Sequence, residues 1–202
     1  MKKRAAIFVS GSGTNMENIA KKAGAGKLSC DIATVVCDNP GALALKRAEK
    51  LGLEAFVIER KKFASKPEFE ARITEHLKQK KIDVVLLAGF MRILGPEFVR
   101  NWQGRIINVH PSLLPKYPGA QAIRDAFEAQ EKETGVTVHF VNEEVDRGPI
   151  ILQRRVPIEA KDTLETLEAR VHAAEYEIYP EAIELFCTGK LTIENAKVKI
   201  SK

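Results

Sequence analysis

Between residues 5 and 109, short runs of strand formers alternate with stretches of helical periodicity, and that alternation restricts the chain to few architectures. Residues 5–9 are an apolar run ahead of Ser10-Gly11-Ser12-Gly13-Thr14-Asn15, and a helical pattern follows over residues 16–22. Strand runs at 32–36 and 55–58 bracket a helical stretch at 42–51 with Gly52 after its end. Pro67 suits a helix start, and Phe69, Ile73 and Leu77 mark the buried face of a helix over 67–80, with His76 expected to face solvent. Residues 83–87 are nearly continuously apolar, as in a parallel strand covered on both faces. A helix over 96–101 and a strand over 105–109 continue the repeat. The pattern predicts an α/β fold with a doubly wound, mostly parallel, Rossmann-like sheet and right-handed crossovers.

A further helix is expected over residues 121–129, and beyond Gly135 the pattern changes. Val136, Val138 and Phe140 alternate with Thr137, His139 and Val141, and a polar loop over residues 142–148 leads to the run 149–153. Two strands joined in this way predict an antiparallel C-terminal edge to the sheet. Asp162, with Glu165 three residues on, is expected to cap a helix running to about Phe186 and broken or kinked at Pro180. Residues 191–200 fit a small hairpin. With no linker, repeat or low-complexity stretch, residues 1–202 read as one domain.

Composition narrows the function classes. At 45% hydrophobic and 29% charged residues the chain is of the soluble globular type. Met1-Lys2-Lys3-Arg4 is like the start of a signal peptide, but the apolar run at 5–9 is too short for one. No stretch approaches the roughly 18 apolar residues of a membrane span, so a cytoplasmic protein with no membrane partner is expected. Cys30, Cys37 and Cys187 lack metal-ligand spacing and read as thiols in a reducing compartment. The net charge of +5 suits anionic small molecules. The basic residues are spread out, the tightest run being Arg60-Lys61-Lys62, which reads as solvated surface rather than a nucleic-acid footprint.

Chemistry is concentrated in Arg105-Ile106-Ile107-Asn108-Val109-His110-Pro111-Ser112-Leu113-Leu114-Pro115. Asn108 and His110, two apart on an extended segment, point the same way where the strand ends, and the prolines stiffen the loop that follows. An imidazole exchanges protons near neutrality, and a carboxamide donates to a developing oxyanion without titrating. The pair suits acyl transfer. Asp146, in a glycine- and proline-flanked loop, is either a turn-former or a carboxylate partner for His110. His139 reads as a half-buried core residue, and His172 sits one helical turn before Glu175. The loop at residues 10–15 lacks the third glycine of a dinucleotide site and the lysine of a Walker loop, so a single phosphate fits it best. No nucleophile elbow or metal-ligand cluster is present in the pattern, so no metal is expected.

These motifs resemble the phosphoribosylglycinamide formyltransferase family, folate-dependent enzymes of purine synthesis. The resemblance rests on Ser10-Gly11-Ser12-Gly13-Thr14-Asn15, Ala88-Gly89-Phe90-Met91-Arg92-Ile93-Leu94, Asn108-Val109-His110-Pro111-Ser112-Leu113-Leu114-Pro115 and Thr137-Val138-His139-Phe140-Val141 through Asp146-Arg147-Gly148-Pro149, in that order and spacing. It implies transfer of the formyl group of 10-formyltetrahydrofolate to the amine of 5-phosphoribosylglycinamide through a tetrahedral intermediate, by a monomer or homodimer acting on small molecules. Asn108, His110 and Asp146 would be catalytic. Gly13, Thr14 and Asn15 would hold the ribonucleotide phosphate, and Glu175 its sugar or glycinamide end. Lys66, Met91, Arg92, Ile93, Leu94, Asn108 and Val141 would line the folate, with the loop 141–148 expected to be mobile. Gln121 and Ile123 stand where some members carry histidines, and Lys66 where some carry arginine.

Three alternatives share parts of this pattern. A methionyl-tRNA formyltransferase would add a C-terminal RNA-binding domain, for which a chain ending at Lys202 is expected to have no room. A formyltetrahydrofolate hydrolase would place a regulatory domain ahead of the first strand, here expected at Ala5. A non-catalytic nucleotide-binding module would lack one of Asn108, His110 and Asp146.

Overall fold

Residues 2–201 are described by a computed structural model, in which the chain divides into two compact units between Ile107 and Asn108. Met1 and Lys202, the ends of the one-domain reading, lie outside the described residues.

In the first unit β1 (Lys3–Val9) pairs in parallel with both β2 (Cys30–Cys37) and β4 (Val84–Leu87), and β2 pairs with β3 (Ala55–Val57). The order is β3-β2-β1-β4. Val85 N–H donates to the Arg105 carbonyl (2.9 Å), which brings the start of β5 (Ile106–His110) beside β4. Ile7 sits between Val35 and Leu86 in the register, and Ala5 through Phe8 are fully buried. That is the burial expected of parallel strands covered on both faces.

The helices of this unit follow their apolar stripes. Helix α1 (Thr14–Gly24) buries Met16, Ile19, Ala20 and Ala23, and α2 (Leu43–Lys50) buries Ala44 and Ala48. Helix α3 (Lys66–Gln79) is capped by the Ser65 hydroxyl, which accepts from Glu68 N–H (3.2 Å). Its buried face includes His76, contrary to the solvent-facing expectation. The ring stacks on Phe56 at 4.1 Å, and Nε2 meets the Thr34 hydroxyl at 2.9 Å. Position 76 lies one turn beyond Ile73, so the helix period carries it inward with the apolar residues. Helix α4 (Pro96–Asn101) then leads to β5.

In the second unit the last residues of β5 are followed by α5 (Ala122–Glu128), β6 (Glu133–Phe140) and β7 (Ile150–Pro157), in sheet order β5-β6-β7. β6 and β7 are antiparallel, with an irregularity between Val138 and His139. The mostly parallel sheet with an antiparallel C-terminal edge is therefore present. Helix α6 (Leu164–Cys187) packs on β6 and β7 and buries Leu167, Val171, Ala174, Ile178, Ala182 and Ile183.

One expectation for α6 is corrected and one is narrowed. Thr163, not Asp162, is the N-cap, in a reciprocal box with Thr166. Asp162 instead accepts from Glu159 N–H and from the Arg170 guanidinium, which holds its carboxyl down at about 2. The helix also runs unbroken through Pro180. A separate hairpin, β8 (Leu191–Glu194) and β9 (Lys197–Ile200), turns at Asn195 and Ala196, whose φ values of 50° and 57° are those of a two-residue hairpin turn.

Gly135, opposite Arg155 in the β6–β7 pairing, has no room for a side chain. A Cβ there would run into the Arg154 carbonyl oxygen and lie 2.5 Å from Leu113 Cδ2. Gly135→Ala is expected to lower folding stability by about 1–3 kcal/mol, read as a reduced urea midpoint at unchanged slope. An unchanged midpoint would contradict this packing.

Candidate active site

The second unit assembles a polar cluster at the end of β5. Asn108 and His110 share the parity of the strand, and His110 is buried. Its Nε2 lies 2.8 Å from the Tyr117 carbonyl oxygen. A carbonyl only accepts, so Nε2 carries a proton and Nδ1 is the ring atom left to gain or lose one. Nδ1 lies 3.6 Å from Asp146 Oδ2. That is within ion-pair reach but too long for a hydrogen bond, so an N–H at Nδ1 remains available to a substrate oxygen.

Asp146 occupies the left-handed region, with φ of 55°, a conformation that Asp tolerates better than most residues. Its Oδ2 accepts from Gly119 N–H at 2.9 Å. The loop carrying it is shaped by an Asx turn, Glu144 N–H to Asn142 Oδ1 (3.1 Å), and by Gly148, where a Cβ would collide with the Phe140 carbonyl. Asp146 thus combines both alternatives, a left-handed turn position and a carboxylate within ion-pair reach of His110.

His139 is fully buried and joins the cluster. Its Nδ1 lies 2.8 Å from the Phe140 carbonyl oxygen and so donates to it, which leaves Nε2 of the neutral ring as an acceptor. Asn108 Nδ2 lies 3.2 Å from that nitrogen and is its donor. One N–H of the carboxamide is thereby fixed, and the second stays available for an oxyanion. Burial pushes the His139 pKa down, against the Phe140 carbonyl and Asp146, which favour the charged form. A neutral His139 is the state that this bond requires.

Glu175 lies buried on α6, and its Oε2 pairs with His172 Nδ1 at 2.9 Å. That hydrogen bond raises the His172 pKa, with burial opposing. Val141 follows the end of β6 and is half-buried.

The remaining predicted residues are in the first unit. Gly13 precedes α1 with φ of +75°, and a Cβ on it would lie 2.6 Å from Ala44 Cβ. The glycine thus serves both the left-handed turn and the close approach of α2. The loop is further tied by Arg47 Nε donating to the Ser12 carbonyl (3.0 Å) and by Ala44 N–H donating to the Gly11 carbonyl (3.1 Å). Thr14 and Asn15 begin α1, whose dipole favours an anion there.

The loop after β4 displays Met91 and Ile93, 70% and 66% exposed, while Leu94 turns inward and is buried. Three hydrogen bonds pin it. Met91 N–H donates to Ser10 Oγ (2.8 Å), Arg92 Nε to Asp38 Oδ2 (2.6 Å) and Gly95 N–H to Glu70 Oε1 (2.7 Å). Lys66 Nζ stands 4.0 Å from Glu70. Exposed apolar side chains on a pinned backbone suit a flat, partly apolar ligand.

A family model described as formyl transferase matches residues 3–183. The chain belongs to the formyl transferase family. It is 42% identical over 193 residues to the phosphoribosylglycinamide formyltransferase of Haemophilus influenzae, covering 96% of this chain and 91% of that one. It is 44% identical over 194 residues to the trifunctional purine biosynthetic protein adenosine-3 of Drosophila melanogaster, covering 95% of this chain but only 14% of that much longer protein. A crystal structure of glycinamide ribonucleotide transformylase 1 from Symbiobacterium toebii superposes with a TM-score of 0.97 at 41% identity, over 100% of this chain and 95% of that one.

In this chain, sequence reasoning missed the acceptor and donor groups that orient the predicted residues. The Tyr117 carbonyl and Gly119 N–H are backbone groups, and no residue type announces them. His139 could have been found, since it is an ionisable residue in the apolar run Val136 to Phe140 of β6. Among the described residues no helix is long and apolar enough to cross a membrane, and no cluster of three or more His, Cys, Asp or Glu could hold a metal.

The depressed His139 gives a signed pH dependence. Its folded pKa lies below the unfolded value, about 6.5, so its contribution is full above that pH and is lost as pH falls through the folded value. His76, also pushed down by burial, acts in the same direction, and His172 in the opposite one. Urea midpoints measured from pH 7.5 to 5 are expected to fall more steeply in the parent protein than in His139→Gln. Equal slopes would mean that His139 is not held neutral.

Proposed function

We propose that the chain transfers the formyl group of 10-formyltetrahydrofolate to the amine of 5-phosphoribosylglycinamide, the step implied by the resemblance and by the names of the relatives. The observation that carries this reading is the grouping of Asn108, His110 and Asp146. The cluster offers two N–H donors without a nucleophilic side chain, which suits direct attack by the substrate amine rather than a covalent enzyme intermediate.

In this reading the glycinamide nitrogen attacks the formyl carbon, and negative charge develops on the formyl oxygen. Asn108 Nδ2–H and the N–H at His110 Nδ1 donate to that oxygen. Asp146 stabilises the imidazolium by charge and, directly or through water, takes the proton that the amine must lose. Collapse of the tetrahedral species breaks the bond from carbon to N10 of the folate, which accepts a proton as it leaves. Fixed donors cost no reorganisation as charge develops, which is why their geometry matters more than their number.

The binding roles follow the same assignment. Gly13, Thr14 and Asn15 take the ribonucleotide phosphate at the start of α1, and Glu175 takes the sugar or glycinamide end. Met91, Arg92, Ile93 and Leu94, with Lys66 and Val141, take the folate. The fit is supported by the exposed Met91 and Ile93 and by the half-exposed Arg92 guanidinium. Residues 1–202 together make one catalytic domain, and both partners are small molecules.

His110→Ala and Asp146→Asn are each expected to lower kcat for formyl transfer by about 10² or more, with ribonucleotide binding nearly unchanged. Turnover within a few-fold of the parent in both variants would sink the assignment.

A further inference from the structure

Beneath the loop of residues 111–118 lies a closed set of hydrogen bonds that substrate binding and proton transfer do not use. Its centre is Thr137 Oγ1, fully buried on β6. That oxygen lies 2.6 Å from the Ser112 carbonyl, 3.0 Å from Leu114 N and 2.9 Å from Gln153 Nε2. The carbonyl can only accept and the two N–H groups can only donate, so the hydroxyl gives one bond and takes two, its full capacity. The second N–H of Gln153 goes to the Leu114 carbonyl at 2.9 Å. One β7 side chain therefore holds both the loop and the residue that anchors it.

From there the bonds lead to the imidazole. Ser112, also fully buried, donates its hydroxyl to the Lys116 carbonyl at 2.6 Å. That carbonyl belongs to the peptide unit entering Tyr117, a residue at φ +53°. The Tyr117 carbonyl is the acceptor of His110 Nε2–H. On the outer side Glu131 accepts from both Tyr117 Oη and Lys116 Nζ, each at 2.9 Å. The orientation of the Tyr117 carbonyl is thus set by two hydroxyls in series and by Gln153 behind them.

We propose that Gln153, acting through Thr137 and Ser112, is a positioning residue that holds His110 in its Nε2–H form and keeps Nδ1 as the proton-exchanging atom. Gln153 is itself exposed and both of its bonds are part-buried; removing its two donors leaves the Leu114 carbonyl without that donor and frees the loop to shift. Once the Tyr117 carbonyl moves off Nε2, the neutral ring can carry its proton on Nδ1 instead, toward Asp146. The freed ring can then turn its Nδ1–H onto Asp146 and away from the formyl oxygen, while the residues assigned to binding either substrate are untouched.

This inference rests on the role proposed above for His110, and its test has one arm that needs no substrate. In Gln153→Met, which keeps side-chain length, and in Thr137→Val, kcat should fall about tenfold or more with both KM values within about twofold, and the pH profile of kcat should shift. Thr137→Ser, which restores the three-bonded oxygen, should behave as the parent. Imidazole 15N spectra of the free proteins should show Nε2 of His110 protonated in the parent and in Thr137→Ser, with Nδ1–H tautomer gained in Gln153→Met and Thr137→Val. An unchanged His110 spectrum in both of those variants overturns the proposal whether or not the parent transfers formyl groups. So does a rise in KM at constant kcat. Should one variant fail to fold, the other decides the question by the same spectrum.

Discussion

The hydrogen bond from His110 Nε2 to the Tyr117 carbonyl is the constraint on which the candidate site depends. It assigns the ring protons by elimination and leaves Nδ1 facing a carboxylate 3.6 Å away. At that separation the coupling of imidazolium and carboxylate is Coulombic rather than a shared hydrogen bond. Its size is about 1 kcal/mol in a water-like medium and about 4 kcal/mol at the effective dielectric of a protein surface. Both partners are nearly buried, which favours the stronger end of that range. The distance leaves an Nδ1 proton directional freedom, which the proposed reaction uses when an oxyanion forms.

Asn108 is governed by the same kind of elimination. The Phe140 carbonyl fixes the protonated nitrogen of His139, and the other nitrogen fixes which end of the Asn108 carboxamide faces it. Burial keeps His139 neutral, so desolvation, usually a cost, here maintains a hydrogen-bond acceptor. A charged His139 would turn that acceptor into a donor and force the carboxamide to flip. The pair therefore depends on two histidines that both approach Asp146, His110 at 3.6 Å and His139 at 3.8 Å, with burial favouring the neutral form of the second.

Much of this architecture is legible in residue order. The strand runs, the helix at 96–101 and the hairpin at 191–200 appear in the structure within a few residues of their expected bounds, because apolar periodicity and burial have the same cause. Asn108 and His110 could be singled out by their side chains, whereas Asp146 was open between a turn-former and a partner of His110 until the resemblance joined it to them. What could not be read depends on backbone groups or on three-dimensional packing. Tyr117 contributes a carbonyl that any residue would possess, and Gly119 an N–H. His76 went inward because the stripe of α3 is wider than three apolar residues suggest, with Phe56 available as a stacking partner. Thr163 displaced Asp162 as the cap of α6 because Asp162 was already taken by Arg170 and the Glu159 N–H.

The most direct measurement is an assay of the purified protein with 10-formyltetrahydrofolate, offering 5-phosphoribosylglycinamide, water or charged tRNA as the formyl acceptor. Formylation of the ribonucleotide amine, with turnover of the other two at least about 10² slower, is the predicted result. Comparable release of formate in the absence of ribonucleotide, or preferential formylation of the charged tRNA, would contradict it.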